Sequence, residues 1–318
     1  MKQYAIRRIL QIIPTIIGVS IVLFGVFAMA PGNFIDSKQT ISDARKAELK
    51  EKFGLDKPVH ERYFIWAKNT IQGDLGMSTQ HQQPVTTVMN RYMWNSFIIA
   101  AIVLVLSWTI AIFVGVYSAI RQYSFFDGII TFLVFALMSL PSFFIGLLAI
   151  KFFAVDMKWA PVGGMYTTGS NATGLAKVWD LVQHMWLPIS VLTALSVGGL
   201  TRYFRTSMLE VVRQDYIRTA RAKGVKPSTV IFKHALRNAL LPAITLLGME
   251  IPALFSGAMI TEQVFNWPGI GKINLAALQS RDYFLLMGFT MFLAALTLVG
   301  NFVSDMLYRI ADPRVRMK

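Results

Sequence analysis

The residue best placed to do chemistry is an acidic side chain inside an apolar stretch. Glu250 falls midway along the apolar run 239–260. An ionisable side chain at membrane depth is costly and normally faces a polar cavity or another helix. Two interpretations stay open: a polar contact on the path of a transported molecule, or a hydrogen-bonded or protonated carboxyl that holds helices together.

Residue types and spacings argue against catalysis, nucleotide binding and metal binding by this chain. Cysteine is absent, so the chain has no thiolate nucleophile, no thiolate metal site and no disulfide. The sequence has no GxxxxGK loop followed by Ser or Thr, and no GxSxG elbow. The histidines stand in separate segments without paired metal spacing; they are His60, His81, His184 and His234. We predict a chain that is not an enzyme and holds no metal or cofactor of its own.

The most strongly charged stretch is basic and lies between two apolar runs. Nine Lys or Arg residues face only Glu210 and Asp215 between Arg202 and Arg237. Apolar residues recur at three- and four-residue steps from Thr206 to Ala220, which predicts one amphipathic helix. Gly224 suits the left-handed residue that ends a helix. Pro227 suits the first turn of a second helix.

Three interpretations of this basic unit compete. It could be a DNA-binding helix-turn-helix, a basic loop that orients the protein and touches anionic lipid, or a docking element for a soluble partner. An element held at both ends by apolar runs has little freedom to enter a DNA groove. We therefore favour the docking element.

The composition is that of an integral membrane protein. Of 318 residues, 54% are hydrophobic and 15% are charged, and the mean hydropathy is +0.50. Six apolar runs approach the roughly 20 residues that cross a bilayer; they are 9–30, 97–120, 129–155, 185–201, 239–260 and 284–307. We predict an all-α polytopic protein with six transmembrane helices. The third run is expected to kink at Pro141, and the fourth to be short and interrupted at Pro188, Gly198 and Gly199.

The distribution of charge predicts the orientation. With both termini inside, the cytoplasmic segments carry 17 Lys or Arg and the two short outer loops carry 4. The long first loop is discounted in such counting. The net charge of +14 is therefore explained by topology and does not require nucleic acid as a partner.

The basic unit also carries a family resemblance. The sequence RTARAKG at 218–224 and HALRNALLP at 234–242 resembles the coupling loop of binding-protein-dependent ABC importers. It is most similar to that of the B-type membrane subunit in the oligopeptide and dipeptide permease family. Two departures exist: Arg218 and Thr219 replace the family's Glu and first Ala, and fourteen residues, not nine, separate Gly224 from Ala239-Leu240-Leu241-Pro242. Further matching pieces are Arg7-Arg8, Pro31-Gly32, Gly73–Ser78, Leu140–Phe143, Asn266–Gly271 and Asp312–Arg316.

The resemblance implies a type I importer permease bundle in a bacterial inner membrane, with a second homologous permease, two ATPase subunits and an extracytoplasmic solute-binding protein as partners. ATP and Mg would be bound by the ATPase subunits. The implied domains are 1–30 (start and first span), 31–96 (extracytoplasmic loop) and 97–318 (permease core, with the coupling loop at 202–238). The substrate stays open between dipeptides, oligopeptides and nickel complexes.

Three groups of residues follow as candidates. For the ATPase-coupling loop they are Tyr216, Arg218, Thr219, Ala220, Arg221, Ala222, Lys223 and Gly224. For hinges and the translocation path they are Pro141, Pro242, Glu250, Pro252 and Gly257. For contact with the binding protein they are Trp267, Pro268, Gly269 and Gly271.

One alternative function stays open. A stand-alone secondary transporter or channel could use Glu250 as an ion or proton site. Ala253, Gly257 and Thr261 recur every four residues after it, which predicts a small-residue packing face that Glu250 shares.

Overall fold

The computed structural model describes residues 2–30 and 57–311, with side chains from 6–30 and 57–308. Pro31-Gly32 and the tail Asp312–Arg316 lie outside these residues, as does much of the first loop. The helices, numbered along the chain, are α1 (Lys2–Met29), α2 (Val59–Ile71), α3 (Val85–Ile120), α4 (Phe125–Ser139), α5 (Ser142–Ala149, continued by the π-helical stretch Ile150–Asp156), α6 (Gly174–Val212), α7 (Asp215–Ala222), α8 (Pro227–Thr229, continued by π-helical Val230–Ala235 and by Leu236–Ala239), α9 (Ala243–Ser256), α10 (Met259–Val264), α11 (Ile270–Ser280) and α12 (Tyr283–Ala311).

The predicted all-α membrane fold is confirmed. Five described helices or helix pairs are long and apolar enough to cross a membrane: 6–29, 85–120, 174–212, 243–264 and 283–308. The pair α4 and α5 brings the number to six if it is counted as one bent span. In the described part of the chain, the strands are limited to a short antiparallel hairpin, β1 (Met77–Ser78) with β2 (Gln83–Pro84).

The third span is broken where the sequence predicts only a kink. α4 and α5 meet at an angle of 102° around Leu140 and Pro141. Leu140 is extended, with φ −96° and ψ 138°. The ring of a proline disfavours the helical conformation of the residue before it, so α4 ends there and α5 begins anew.

The predicted interruption of the fourth span is wrong. α6 runs without a break for 39 residues through Pro188, Gly198 and Gly199. A proline removes one helical hydrogen bond, and in an apolar setting the rest of the helix retains its own. Gly198 serves close packing, because a Cβ there would lie 3.3 Å from Met138 Cγ and 3.6 Å from the Val134 carbonyl oxygen on α4.

The fifth span also differs from the prediction. Pro242 lies in the turn before α9, whereas Pro252 lies inside α9. Gly257 has φ +72° and separates α9 from α10. The predicted face of Ala253, Gly257 and Thr261 is therefore not one continuous helical stripe.

The chain divides into two compact units. One unit holds 1–97, 251–259 and 268–302, and the other holds 98–250, 260–267 and 303–318. The first unit has a core in which the start of α3 packs against α11 and the start of α12; its buried members are Val85, Val88, Met89, Ile270, Ala277, Leu285, Leu286 and Phe289.

A buried carboxylate fastens the β-hairpin in this first unit. Asp282 Oδ2 accepts a hydrogen bond from Ser78 Oγ at 2.5 Å and from the backbone amide of Gln80 at 3.1 Å. Its Oδ1 accepts from the backbone amide of Leu285 at 3.3 Å, in the first turn of α12. A Cβ at Gly76 would lie 2.9 Å from the Phe284 ring. These contacts give Gly76 and Ser78 in the segment Gly73–Ser78 a structural role.

Candidate functional site

A short helix in the basic unit is anchored through one buried side chain. Ile217 on α7 is 0% exposed and packs in a core of the second unit. Its partners come from α3, α6 and α8; they are Val116, Ala119, Met208, Val230, Ala235 and Ala239. α7 therefore has one face fixed to the body of this unit.

The predicted single helix from Thr206 to Ala220 is wrong. α6 ends at Val212 and α7 begins at Asp215, because Gln214 between them is extended with φ −71° and ψ 150°. The break turns the chain so that Ile217 reaches the same core as Met208.

The predicted glycine turn is confirmed. Gly224 has φ +72°, and its amide donates to the Arg221 carbonyl at 3.0 Å. The amide of Val225 donates to the Ala220 carbonyl at 3.3 Å, which closes the end of α7. Pro227 occupies the first turn of α8, as predicted.

The outward face of this element, which we call the α7 surface, is exposed. Its members are Tyr216, Arg218, Thr219, Arg221, Ala222, Lys223 and Gly224. Ala220, predicted with them, is half-buried. Tyr216 is 45% exposed, and Phe232 on the following helix is 56% exposed. Aromatic and arginine side chains are enriched at protein interfaces, so this face has the composition of a docking surface.

The sequence interpretation missed Phe232. No clear signal in the sequence pointed to it, because its exposure follows from which positions of α8 enter the core, and those include Val230 and Ala235.

A hydrogen bond also connects α6 with α8. Ser207 Oγ donates to the Ala239 carbonyl oxygen at 2.8 Å. This hydrogen bond connects α6 to the end of α8. α7 and α8 are thus attached to the second unit at Ile217 and at Ala239, on either side of the turn between them.

An ion pair in the second unit was also missed. Arg205 on α6 makes two parallel hydrogen bonds of 2.9 Å to the carboxylate of Asp127, in the first turn of α4. The two residues are 78 positions apart, so no local pattern pairs them. The only sequence signal was Ser124 three residues before Asp127, which is a helix-start pattern; the Asp127 amide does donate to Ser124 Oγ at 3.2 Å.

The residues predicted for hinges and the translocation path lie in different settings. Glu250 is half-buried on α9, and its carboxylate has no hydrogen-bond partner among the described side chains and backbone. Pro141 is the residue immediately before α5 and is exposed. Pro252 lies inside α9. Gly257 follows the end of α9 and has a positive φ. The role of Glu250 stays open between its two interpretations, and the path stays a prediction.

The segment predicted to face a binding protein is largely buried. Trp267 is 1% exposed and packs with Ile99, Val103, Met185 and Ile189. Gly269 and Gly271 are buried, and Pro268 is half-buried. The expectation that Trp267 itself offers a contact needs correction: its indole is a core group of the second unit. Contact with a binding protein stays a prediction for this segment.

Close backbone packing covers the Trp267 segment. The amide of Gly164 donates to the Phe265 carbonyl at 2.9 Å. A Cβ at Gly163 would lie 2.5 Å from the Phe265 carbonyl oxygen. The loop is held to α6 by Asp180, whose carboxylate accepts from Thr167 Oγ1 at 2.7 Å and from the Thr167 amide at 2.9 Å.

Within 2–30 and 57–311, no group of three His, Cys, Asp or Glu side chains is arranged to hold a metal ion. His184, the one predicted non-ligand that is deeply buried, bonds through Nδ1 to the Asp180 carbonyl oxygen at 2.8 Å.

Fold and site together describe a helical membrane protein with several spans and an exposed basic helix, and comparison with known proteins identifies its family. Residues 111–317 match the family model described as the binding-protein-dependent transport system inner membrane component. The chain therefore belongs to this family, the membrane components of ABC importers, which are non-catalytic subunits.

Relatives match the whole chain. The oligopeptide transport system permease protein AppB of Bacillus subtilis is 41% identical over 99% of both chains. The dipeptide transport system permease protein DppB of Escherichia coli is 34% identical over 100% of both chains. A chain of the MetNI methionine ABC transporter, in inward-facing conformations, has a TM-score of 0.52 and 17% identity over 71% of this chain and 97% of its own. That structural likeness shows the fold alone.

The family also supports the coarser predictions. The protein is a multi-pass component of the inner membrane. Importers of this family work with ATPase and solute-binding partners in general.

Proposed function

We propose that this chain is the membrane subunit of an ATP-driven importer for peptides, either oligopeptides or dipeptides. Full-length similarity to an oligopeptide permease and a dipeptide permease supports the substrate class. The observation that carries the mechanism is the exposed α7 surface on a helix anchored by Ile217. A chain without a nucleotide site must receive the free energy of ATP hydrolysis through such a contact.

In this proposal the turn from Ala220 to Gly224 enters a groove on an ATPase subunit that binds ATP and Mg. The assembly contains a second homologous permease, two ATPase subunits and an external solute-binding protein. Both termini and the α7 surface face the cytoplasm, which agrees with the positive-inside rule. Closure of the ATPase pair would move the α7 surface and shift the permeases between inward-open and outward-open states.

The decisive experiment is purification of the tagged protein from its host in mild detergent, followed by mass spectrometry of the co-purifying chains. We expect an ATPase and a second six-span permease. Reconstituted vesicles with the solute-binding protein should then take up labelled peptide only with ATP.

The result that contradicts the proposal is recovery of the chain alone, still active in ATP-free vesicles under an ion gradient. That outcome would favour a secondary transporter with Glu250 as its ion site, which is the second candidate because Glu250 is half-buried without a hydrogen-bond partner in the described structure. Glu250→Gln would then abolish transport.

A tryptophan at the turn should block the ATPase contact. Apart from its two chain neighbours, nothing in the described residues lies within 4 Å of a Cβ built at Gly224, so a side chain at this position starts out into open space on the α7 surface. We expect loss of the ATPase subunits from the purified complex, with normal amounts of the chain in the membrane. The measurement is the ratio of ATPase subunit to permease after affinity purification.

Backbone strain needs a separate control at this position. Its φ of +72° costs an L-residue about 1–2 kcal/mol. Gly224→Ala carries this strain without the bulk and should keep most of the ATPase subunit. Equal ratios for the Trp variant and the wild type would count against the groove.

A further inference from the structure

Asp127, which is buried, and Arg205, which is half-buried, belong to a network of five hydrogen bonds. Arg205 Nε donates to Asp127 Oδ1 and Arg205 Nη2 to Asp127 Oδ2, both at 2.9 Å. Arg205 Nε also donates to Ser118 Oγ at 3.1 Å, and Ser118 Oγ donates to Asp127 Oδ1. The backbone amide of Tyr123 donates to Asp127 Oδ2 at 3.0 Å. The network thus joins the end of α3, the α3–α4 link, the start of α4 and the body of α6.

Such a network contributes little to the free energy of unfolding. Asp127 is buried while Arg205 keeps 26% of its side-chain surface exposed, and the cost of removing charges from water offsets much of the gain from pairing them. What the bidentate geometry adds is a fixed distance and orientation between two helices. The position of the pair therefore matters more than its stabilisation.

The pair lies next to the anchored basic unit. Arg205 precedes Met208 by three residues on α6, and Met208 packs in the same core as Ile217 of α7. Ser207, between them, bonds to the end of α8. One stretch of α6, about a helical turn long, thus holds both the α7 surface and α4.

α4 has a second attachment to α6 near its other end. Close packing brings Met138 and the Val134 carbonyl against Gly198. Position 127 lies opposite 205 and positions 134–138 lie opposite 198, so the two helices run antiparallel with fixed points at both ends. The 102° break at Leu140 and Pro141 comes directly after the second fixed point.

We propose that Asp127 and Arg205 are positioning residues that carry movement of the α7 surface into α4. α4 and α6 then move as one body, and the chain accommodates the movement at Leu140–Pro141, where α5 takes a separate direction. This inference rests on the proposed function, because it concerns how the ATP-driven movement of the α7 surface reaches the membrane helices.

The test uses the complete complex with its co-purifying partners, reconstituted in vesicles. Peptide taken up per ATP hydrolysed is measured with a labelled dipeptide and a labelled pentapeptide. For Asp127→Asn we expect ATPase subunits to remain bound and ATP hydrolysis to continue, while uptake per ATP falls about 5- to 150-fold, the usual range of coupling between sites. Lys151→Gln, which removes an exposed ion pair with Asp156 in the same unit, is the matched control and should leave the ratio unchanged.

Two outcomes of this test overturn the inference. The first is uptake per ATP equal to that of the wild type at normal activity. The second is a parallel fall of uptake and hydrolysis, which would mark the pair as a purely structural contact. If the wild-type chain brings down no ATPase, the proposed function itself fails, and the two failures are therefore distinguishable.

A distance measurement keeps the inference testable if Asp127→Asn does not fold. The chain has no cysteine, so spin labels can be placed on two introduced cysteines without background. Phe125→Cys at the start of α4 and Asp215→Cys at the start of α7, outside the α7 surface, are both exposed positions. With Asp127 and Arg205 intact, we expect the same label distance with and without an ATP analogue; a nucleotide-dependent change would overturn the rigid attachment.

Discussion

Ile217→Asp is expected to abolish attachment of the ATPase subunits and all peptide uptake. Ile217 is 0% exposed, and a carboxylate in its place would enter a core built from apolar side chains. An unpaired buried charge costs several kcal/mol, which exceeds what an eight-residue helix can recover from its own hydrogen bonds. α7 should leave the core, and the α7 surface would lose its fixed orientation.

The measurement is co-purification of the ATPase together with the yield of inserted permease. Insertion should persist because the apolar spans are unchanged. Ser228→Asp places the same charge at an exposed position in the first turn of α8, where a negative charge is favourable, and should behave like the wild type. Ile217→Val should also keep the complex. Normal assembly of the Ile217→Asp variant would show that the orientation of α7 does not matter for docking.

Asp282→Leu is expected to destabilise the unit that contains the β-hairpin. The substitution leaves Ser78 Oγ and the Gln80 amide without their acceptor and removes the side chain that caps α12. Hydrogen bonds to a charged group contribute about 1.5–3 kcal/mol each, and loss of a helix cap costs about 0.5–2 kcal/mol. The sum is a large part of the stability of an ordinary domain.

We expect a clearly lower melting temperature for the purified chain in detergent, and faster proteolysis within residues 77–84. Asp74→Leu is the matched control, since Asp74 is an exposed carboxylate whose Oδ1 accepts only the Gly76 amide at 2.9 Å in the described structure. It should melt close to the wild type. A melting temperature for Asp282→Leu equal to that of Asp74→Leu would argue that the hairpin is held by apolar packing instead.

Local patterns predicted the elements whose causes are local. The apolar runs located the membrane spans because roughly 20 apolar residues are needed wherever a helix crosses a bilayer. Gly224 and Pro227 marked the end of one helix and the start of another because their backbone preferences act on their own residues. Family resemblance in the basic unit then indicated the class of protein, which the family match and the full-length relatives bear out.

Helix ends outside the membrane were predicted less well. α3 begins at Val85 and α6 at Gly174, each about eleven residues before the predicted span. The helices continue past the apolar run because side chains outside that run also pack on other elements of the fold. Val85 and Val88, for example, lie in the first unit's core. Hydropathy reports the solvent around a helix and not where its hydrogen bonds stop.

Composition and residues close along the chain were enough to predict the membrane class, the approximate spans, the basic helix-turn-helix unit and the family. Only the tertiary structure decided which side of α7 is exposed, that Trp267 is a core residue, that the third span breaks by 102°, and that Asp127 pairs with Arg205. The exposed side of α7, the burial of Trp267 and the Asp127–Arg205 pair depend on residues that are distant in sequence and adjacent in space, whereas Pro141 marked the position of the break in the third span but not its angle. Burial and pairing are properties of the folded chain, and no local periodicity specifies them.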